Sequence, residues 1–217
     1  DHQNWWQIRV DAITGEVISK NNWIATCSWD DSPAHNHGAS CTPVAAGRNP
    51  LLTPASAPVP NGYNVYAAPL DSPYEGSRSN VTFPWNNNLA ASPFGWHDTN
   101  GAPGAEFTIT RGNNVWASED RDADNIPGFS PDGGANLDFD FALDLLQNPV
   151  NYQEAAITNL FFWNNLIHDV MYNYGFDEQS GNFQANNYGN GGLGNDEVIA
   201  DAQDGSGTNN ANFGTPP

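Results

Sequence analysis

The stretch "TNLFFWNNLIHDVMYNYGFD", residues 158–177, is the most hydrophobic part of the chain. Five apolar residues within it repeat at spacings of three and four: Leu160, Trp163, Ile167, Val170 and Tyr174. This pattern predicts a helix over residues 150–174. Gly175 is placed to end the helix in a left-handed conformation. Because further apolar residues widen the stripe, we expect the helix to be buried on most of its sides.

His168 and Asp169 are adjacent polar residues within this helix. Neighbouring residues of an α-helix point about 100° apart, so we expect that the two cannot act together as a histidine–carboxylate pair. His168 shares a face with Asn164, Asn165 and Tyr172. A single histidine on such a face is more often a buried hydrogen-bonding group than a metal ligand or a base. We therefore predict a structural role for His168 and Asp169.

The charge balance excludes two classes of partner. Six basic residues against 25 acidic ones give the 217-residue chain a net charge of −19. Such a surface repels nucleic-acid phosphates and anionic membranes. No stretch approaches the roughly 20 apolar residues that cross a bilayer. The 8 Trp, 11 Phe and 7 Tyr favour a folded domain over a disordered acidic chain.

The N-terminal part reads as a hairpin followed by a linker. Residues 5–24 alternate apolar and polar residues around a Thr-Gly turn, which predicts a β-hairpin. Residues 47–62 contain four prolines among small residues, typical of an extended, protease-accessible linker. Since the chain does not begin with Met and its end lies in a loop, we expect a fragment at both ends.

Short strands are predicted between the linker and the helix and again after it. The segments are residues 63–69, 105–112, 113–119 and 196–203. In the second segment, Phe107 and Ile109 alternate with polar residues, as in a half-buried strand. The last segment, near a sheet edge, could pair with an extended peptide.

Cys27 and Cys41 are the only cysteines. A disulfide between them would close a loop of about 15 residues and stabilise the fold by about 3 kcal/mol in the chain-entropy model. Two free thiols are the alternative. A Cys/His metal site with His35 and His37 is a further one, although the spacing matches no standard zinc pattern.

The segment "EDRDAD" clusters four carboxylates in one loop, at Glu119, Asp120, Asp122 and Asp124. Calcium prefers oxygen ligands of this kind. The alternative is a solvated acidic loop with Arg121 as its counter-charge. The chain has no EF-hand pattern, HExxH, Walker loop or CxxC motif.

Four blocks of sequence resemble the fungalysin family of secreted zinc metalloendopeptidases, in its bacterial branch. The blocks are "SPFGWHDTNG" (92–101), "RGNNVWASEDRDADN" (111–125), "NLFFWNNLIHDVMYNYGFDEQSGNFQANNYGNGGLGND" (159–196) and "AQDGSGTNNANFGTPP" (202–217). Residues 5–24 are similar to the end of the family's propeptide.

The resemblance implies an α+β fold. We expect the β-rich N-terminal lobe of a thermolysin-like metallopeptidase, with one long buried helix, preceded by a propeptide hairpin. Residues 1–26 would be the end of the propeptide, 27–62 a Pro-rich activation region, and 63–217 the N-terminal lobe.

The resemblance also implies the chemistry. Zinc in this class is held by the histidines of HExxH and a downstream Glu, and it activates water for attack on a peptide bond. Those residues are expected beyond Pro217, so this chain alone should be inactive. Asn210 and Ala211, in "TNNANF", match the place where such enzymes bind the substrate backbone. A turn is the alternative there.

The resulting hypothesis is part of a secreted, extracellular zinc endopeptidase made as a zymogen, with calcium as a second candidate cofactor. Its partners would be protein or peptide substrates and its own propeptide. The competing class is a non-enzymatic secreted calcium-binding or adhesive β-domain. That class explains the acidic loop and the aromatic residues, but not the hairpin, linker and helix in this order.

Overall fold

The computed structural model describes residues 6–10, 14–22, 61–70, 72–207, 211, 213 and 214. Over these ranges the chain forms seven strands, one α-helix and four short 3-10 helices, so the predicted α+β class is confirmed. The residues divide into two compact units, 1–46 with 207–217, and 47–206. In the described ranges, no helix combines the length and apolar character needed to span a membrane.

The first unit contains the predicted hairpin. Strand β1 (Trp6–Val10) runs antiparallel to β2 (Val17–Asn22), with Val10 paired to Val17 after an irregularity in the register. Ile8, Val10 and Val17 are each at least half exposed. A two-stranded hairpin of this kind is only marginally stable by itself in water.

The second unit contains two small sheets. Strand β3 (Gly62–Val65) lies between β4 (Ser79–Thr82), which is antiparallel to it, and β6 (Asp138–Phe139), which is parallel. Strand β5 (Val115–Glu119) pairs in parallel with β7 (Val198–Ala202). The apolar stretches at residues 63–69, 113–119 and 196–203 therefore each contain a strand, as predicted.

Residues 105–112 form no strand, contrary to the alternating pattern. Its only β-pairings with described residues are two isolated bridges, Ile109 with Asp132 and Arg111 with Trp116. The Thr110 N–H donates to the Pro131 carbonyl, and its hydroxyl donates to the Ala117 carbonyl. The hydrogen bonds of Thr110 therefore go to two different segments and do not form a ladder with one neighbouring strand.

Helix α1 (Gln153–Tyr172) agrees with the prediction in position. A 3-10 helix, Pro149–Tyr152, leads into it, and the Asn148 side chain accepts a hydrogen bond from the Val150 N–H. At the other end, Gly175 has φ 91° and the Phe176 N–H donates to the Met171 carbonyl at 3.1 Å. This bond to the fifth residue back is typical of a helix that ends in a left-handed glycine.

The buried face of α1 differs from the predicted stripe. Its buried residues are Ala155, Ile157, Thr158, Phe161, Phe162, Asn165 and Asp169. Ile167, Val170 and Tyr174 are 55%, 46% and 84% exposed. The expectation of burial on most sides is therefore wrong for the C-terminal half. Polar residues occupy the buried side there because hydrogen bonds satisfy them.

An aromatic core joins α1 to the sheet of β3, β4 and β6. The Tyr63 ring lies 5.2 Å from Phe139 and 5.5 Å from Trp96, measured between centroids. Phe161 of the helix stacks on His97 at 4.9 Å. Aromatic pairs at these separations add to the hydrophobic gain of burial.

Candidate functional site

A buried polar network surrounds the carboxylate of Asp169, which is 4% exposed. Its Oδ2 accepts a hydrogen bond from the Trp96 indole N–H at 2.9 Å, and its Oδ1 accepts one from the Ser92 hydroxyl at 2.7 Å. The carboxylate therefore links α1 to the loop that precedes β5. Hydrogen bonds to an ionised acceptor are stronger than neutral ones.

His168 also contacts Asp169, which corrects the sequence-based expectation. Its Nδ1 lies 3.1 Å from Asp169 Oδ1, and the two side chains are 8% and 5% exposed. The prediction that adjacent helix residues cannot pair was wrong. The Nδ1 atom of His168 lies close to the helix backbone. Side chains on a helix lean towards its N-terminus, so the short side chain of Asp169 brings its carboxylate within reach of this nitrogen.

The environment of His168 does not suit a free base. Its Nε2 lies 3.3 Å from the side-chain amide nitrogen of Asn182. Since that nitrogen donates, Nε2 accepts, and the ring proton lies on Nδ1 facing Asp169. Both ring nitrogens are thus engaged inside the domain.

His97 is a second buried histidine, which sequence reasoning did not identify. Its Nδ1 donates to the Arg111 carbonyl at 2.9 Å, and its Nε2 accepts from the Tyr63 hydroxyl at 2.8 Å. Burial lowers the pKa of His97 to about 4, so the ring is neutral at pH 7. The block 92–101 offered no periodic pattern that would have revealed a core position.

The acidic loop after β5 brings three of its four predicted carboxylates together. One ligand oxygen each of Asp120, Asp122 and Asp124 lies within 4.8 Å of the others. Asp120 is buried, and its two oxygens accept hydrogen bonds from the N–H groups of Asp124 and Asn125. Glu119 does not join the group, and its carboxylate accepts instead from the Arg121 N–H at 3.2 Å.

Strand β7 adds charge next to this loop. Asp201 is the register partner of Ser118, two residues before Asp120. Partial burial and the nearby charges of Asp120 and Asp204 raise the pKa of Asp201. Its Oδ1 is buried and accepts no hydrogen bond from any residue that the structure describes. Sequence reasoning missed Asp201 because only the parallel pairing of β5 with β7 reveals its position.

The structure describes only some of the remaining predicted site residues. Ala211 is exposed, whereas Asn210 lies outside the described residues. Cys27, Cys41 and the neighbouring His35 and His37 also lie outside them, so the disulfide stays a prediction. Among the described strands, β7 pairs with β5 alone.

Comparisons with known proteins identify relatives of most of the chain. The family model described as "Fungalysin metallopeptidase (M36)" matches residues 62–217. "Extracellular metalloproteinase 2" of Arthroderma otae is 45% identical over 157 residues, covering 71% of this chain and 24% of that protein. "Extracellular metalloproteinase 5" of Trichophyton tonsurans is also 45% identical over 157 residues, covering 71% of this chain and 25% of that protein.

The chain thus spans about a quarter of the length of these curated relatives. The relatives are fungal, so they do not support the expected bacterial branch.

Proposed function

Because this chain belongs to the fungalysin family of metallopeptidases, we propose that it is part of a secreted zinc-dependent endopeptidase made as a zymogen. The family match over residues 62–217 is the observation that carries this proposal. The reaction would be hydrolysis of peptide bonds by a zinc-activated water, with proteins or peptides as substrates. An extracellular location rests on the names of the relatives. The comparisons do not favour the alternative of a non-enzymatic adhesive domain.

The described residues do not fit a zinc site. Zinc in proteins prefers histidine and cysteine ligands, but His97 and His168 have both ring nitrogens engaged within the domain. The acidic loop offers only oxygen ligands. We place the zinc ligands in a part of the protein outside these 217 residues, which contain no HExxH.

The division of the chain follows from the same premise. Residues 1–26 would be the end of the propeptide, and residues 27–62 the activation region. The family match begins at residue 62, next to the start of the lobe proposed at residue 63. The hairpin at the start of the chain is compatible with an independent propeptide element.

Within the lobe, we assign His168 and Asp169 a positioning role. The Asp169 carboxylate ties the helix to Ser92 and Trp96, and His168 extends the link to Asn182. Neither residue would touch the substrate. Asn210 and Ala211 would bind the substrate backbone, and the exposure of Ala211 is compatible with that role.

The acidic loop would hold calcium. Asp120 is fixed by two backbone N–H groups, whereas the carboxylates of Asp122 and Asp124 are exposed beside it. Calcium accepts several carboxylate oxygens in irregular geometry. A bound cation would also offset the burial and the nearby charges of Asp120 and Asp204, which together raise the pKa of Asp201.

Peptide hydrolysis by the complete protein tests the main proposal. We expect the activated protein to cleave unfolded protein substrates, to lose this activity to a zinc chelator and to regain it when zinc is added back. The unactivated form should be inactive until it is cut between residues 27 and 62. Activity that survives complete removal of zinc would refute the zinc mechanism.

A further inference from the structure

Five dipeptides of the chain have the sequence that forms a succinimide most readily, Asn or Asp followed by Gly. They are Asn61-Gly62, Asn100-Gly101, Asp132-Gly133, Asn190-Gly191 and Asp204-Gly205. The reaction needs the glycine backbone nitrogen as the nucleophile. A glycine has no side chain to obstruct this attack, and its backbone turns easily. Whether that nitrogen is engaged in a hydrogen bond therefore distinguishes the five pairs.

Four of the five glycine N–H groups are engaged in the folded protein. They donate to Leu137 O at 3.1 Å (Gly62), Asp98 Oδ1 at 2.9 Å (Gly101), Thr108 O at 2.8 Å (Gly133) and Asp120 O at 2.8 Å (Gly205). The exception is Gly191. Its N–H makes no hydrogen bond to any described residue, and both Asn190 and Gly191 are exposed to water.

We propose that Asn190 is a site of spontaneous deamidation in the native protein. The Gly191 nitrogen attacks the side-chain carbonyl carbon of Asn190, so that a nitrogen–carbon bond forms and the bond to the amide nitrogen breaks. Ammonia leaves with the proton given up by the Gly191 nitrogen. Water then opens the succinimide ring at either carbonyl and yields aspartate or isoaspartate at position 190.

The structure also shows why this change matters. The Asn190 amide donates to Oε1 of Glu178 at 3.0 Å, and Glu178 is only 3% exposed. Its other oxygen accepts from the Tyr172 hydroxyl, at the end of α1, at 3.1 Å. Deamidation replaces the donor to Glu178 with a second carboxylate, and like charges near a buried group repel strongly.

The loop around residue 190 lies directly against this glutamate. A Cβ on Gly192 would clash with the Glu178 carbonyl oxygen. The Asn187 side-chain amide closes the loop by donating to the carbonyls of Gly191 and Leu193, both at 2.8 Å. Deamidation at Asn190 therefore loosens the attachment of residues 187–193 to the C-terminal end of α1.

Peptide mapping of the complete protein tests the site. The protein is incubated in mildly alkaline buffer made with oxygen-18 water. Peptides that contain Asn61, Asn100 or Asn190 are then separated, and their masses are measured by mass spectrometry. We expect label at Asn190, split between aspartate and isoaspartate, roughly tenfold faster than at Asn100, because one hydrogen bond must first open at Gly101. Equal rates at the two sites, or no label at Asn190 in the folded protein, would overturn the proposal.

Two variants separate the site from its consequence. Asn190→Gln should abolish the labelled peptide, since a longer side chain closes a less favourable ring, while Asn100→Gln should leave labelling at position 190 unchanged. Asn190→Asp should increase proteolytic cutting within residues 187–193 at neutral pH. A cutting rate equal to that of the unmodified protein would show that the charge has no effect there. None of these measurements depends on peptidase activity.

Discussion

The indole nitrogen of Trp96 lies 2.9 Å from the carboxylate of Asp169, and both residues are almost completely buried. This bond connects the middle of one loop to the last turns of the only α-helix among the described residues. A buried carboxylate is stable only where donors replace its lost water. Ser92 and His168 supply the other two donors.

We predict that Asp169→Ala lowers the free energy of unfolding by about 3 kcal/mol, because three buried donors lose their charged acceptor. Asp169→Asn should cost less, since one amide oxygen still accepts. Denaturant unfolding followed by tryptophan fluorescence measures both. Glu154→Gln, in an exposed position on the same helix, is the matched control. Equal stability of Asp169→Ala and this control would show that the network contributes nothing.

His97 should make the folded state sensitive to mild acid. Its pKa is about 4 in the folded state against an ordinary value of 6.5. Below pH 6.5 the unfolded chain therefore binds a proton that the folded chain does not, and stability falls as the pH falls towards about 4. The contribution lost is about 3 kcal/mol over this range.

The variant His97→Gln tests this titration, because glutamine can donate to Arg111 and accept from Tyr63 but does not titrate. We expect a lower free energy of unfolding at pH 7 and a shallower decline between pH 6.5 and 4. The slopes of the free energy of unfolding against pH should differ by an amount that approaches the uptake of one proton. Parallel curves for the two proteins would mean that His97 is not held neutral.

Local patterns predicted the elements whose signals are local. The helix over residues 153–172 follows from its apolar repeats, with Gly175 marking its C-terminal end. The strands β5 and β7 follow from short segments that contain β-branched and small residues. Residues 105–112 also alternate, but Thr110 bonds to Pro131 on one side and to Ala117 of β5 on the other, so no continuous ladder forms and the alternation was misleading.

The orientation of the helix and the composition of the site depend on tertiary contacts. Sequence spacing placed Ile167 and Val170 inside, yet Asp169 is the buried residue because Trp96 and Ser92 offer it hydrogen bonds. Similarly, Asp120 and its two aspartate neighbours were visible as a cluster, whereas Asp201 joins them only through the pairing of two strands.

Calcium binding by the acidic loop has a direct thermodynamic consequence. We predict that about 1 mM Ca²⁺ raises the free energy of unfolding by about 1–3 kcal/mol through binding to the folded state alone. The double variant Asp122→Asn with Asp124→Asn should lose this increase, since both side chains are exposed and replaceable.

Isothermal titration calorimetry with CaCl₂ provides the direct measurement. The control Asp144→Asn removes one acidic charge elsewhere, while its amide oxygen can still accept from the Leu146 N–H. An unchanged calcium response in the double variant would place the ion outside the loop.

The exposed apolar residues at and just beyond the C-terminal end of α1 should govern the solubility of this chain by itself. Ile167, Val170, Met171 and Tyr174 follow one another at helical spacing and are 55%, 46%, 45% and 84% exposed. Apolar side chains grouped on one face favour self-association. We predict that Ile167→Lys with Tyr174→Lys shifts the chain from aggregates towards monomer without lowering the free energy of unfolding, since neither side chain belongs to the core.

Leu146→Lys, at a residue 75% exposed outside the helix, is the control. Sedimentation velocity distinguishes the species, and equal aggregation of the helix variant and the control would show that this face does not drive association.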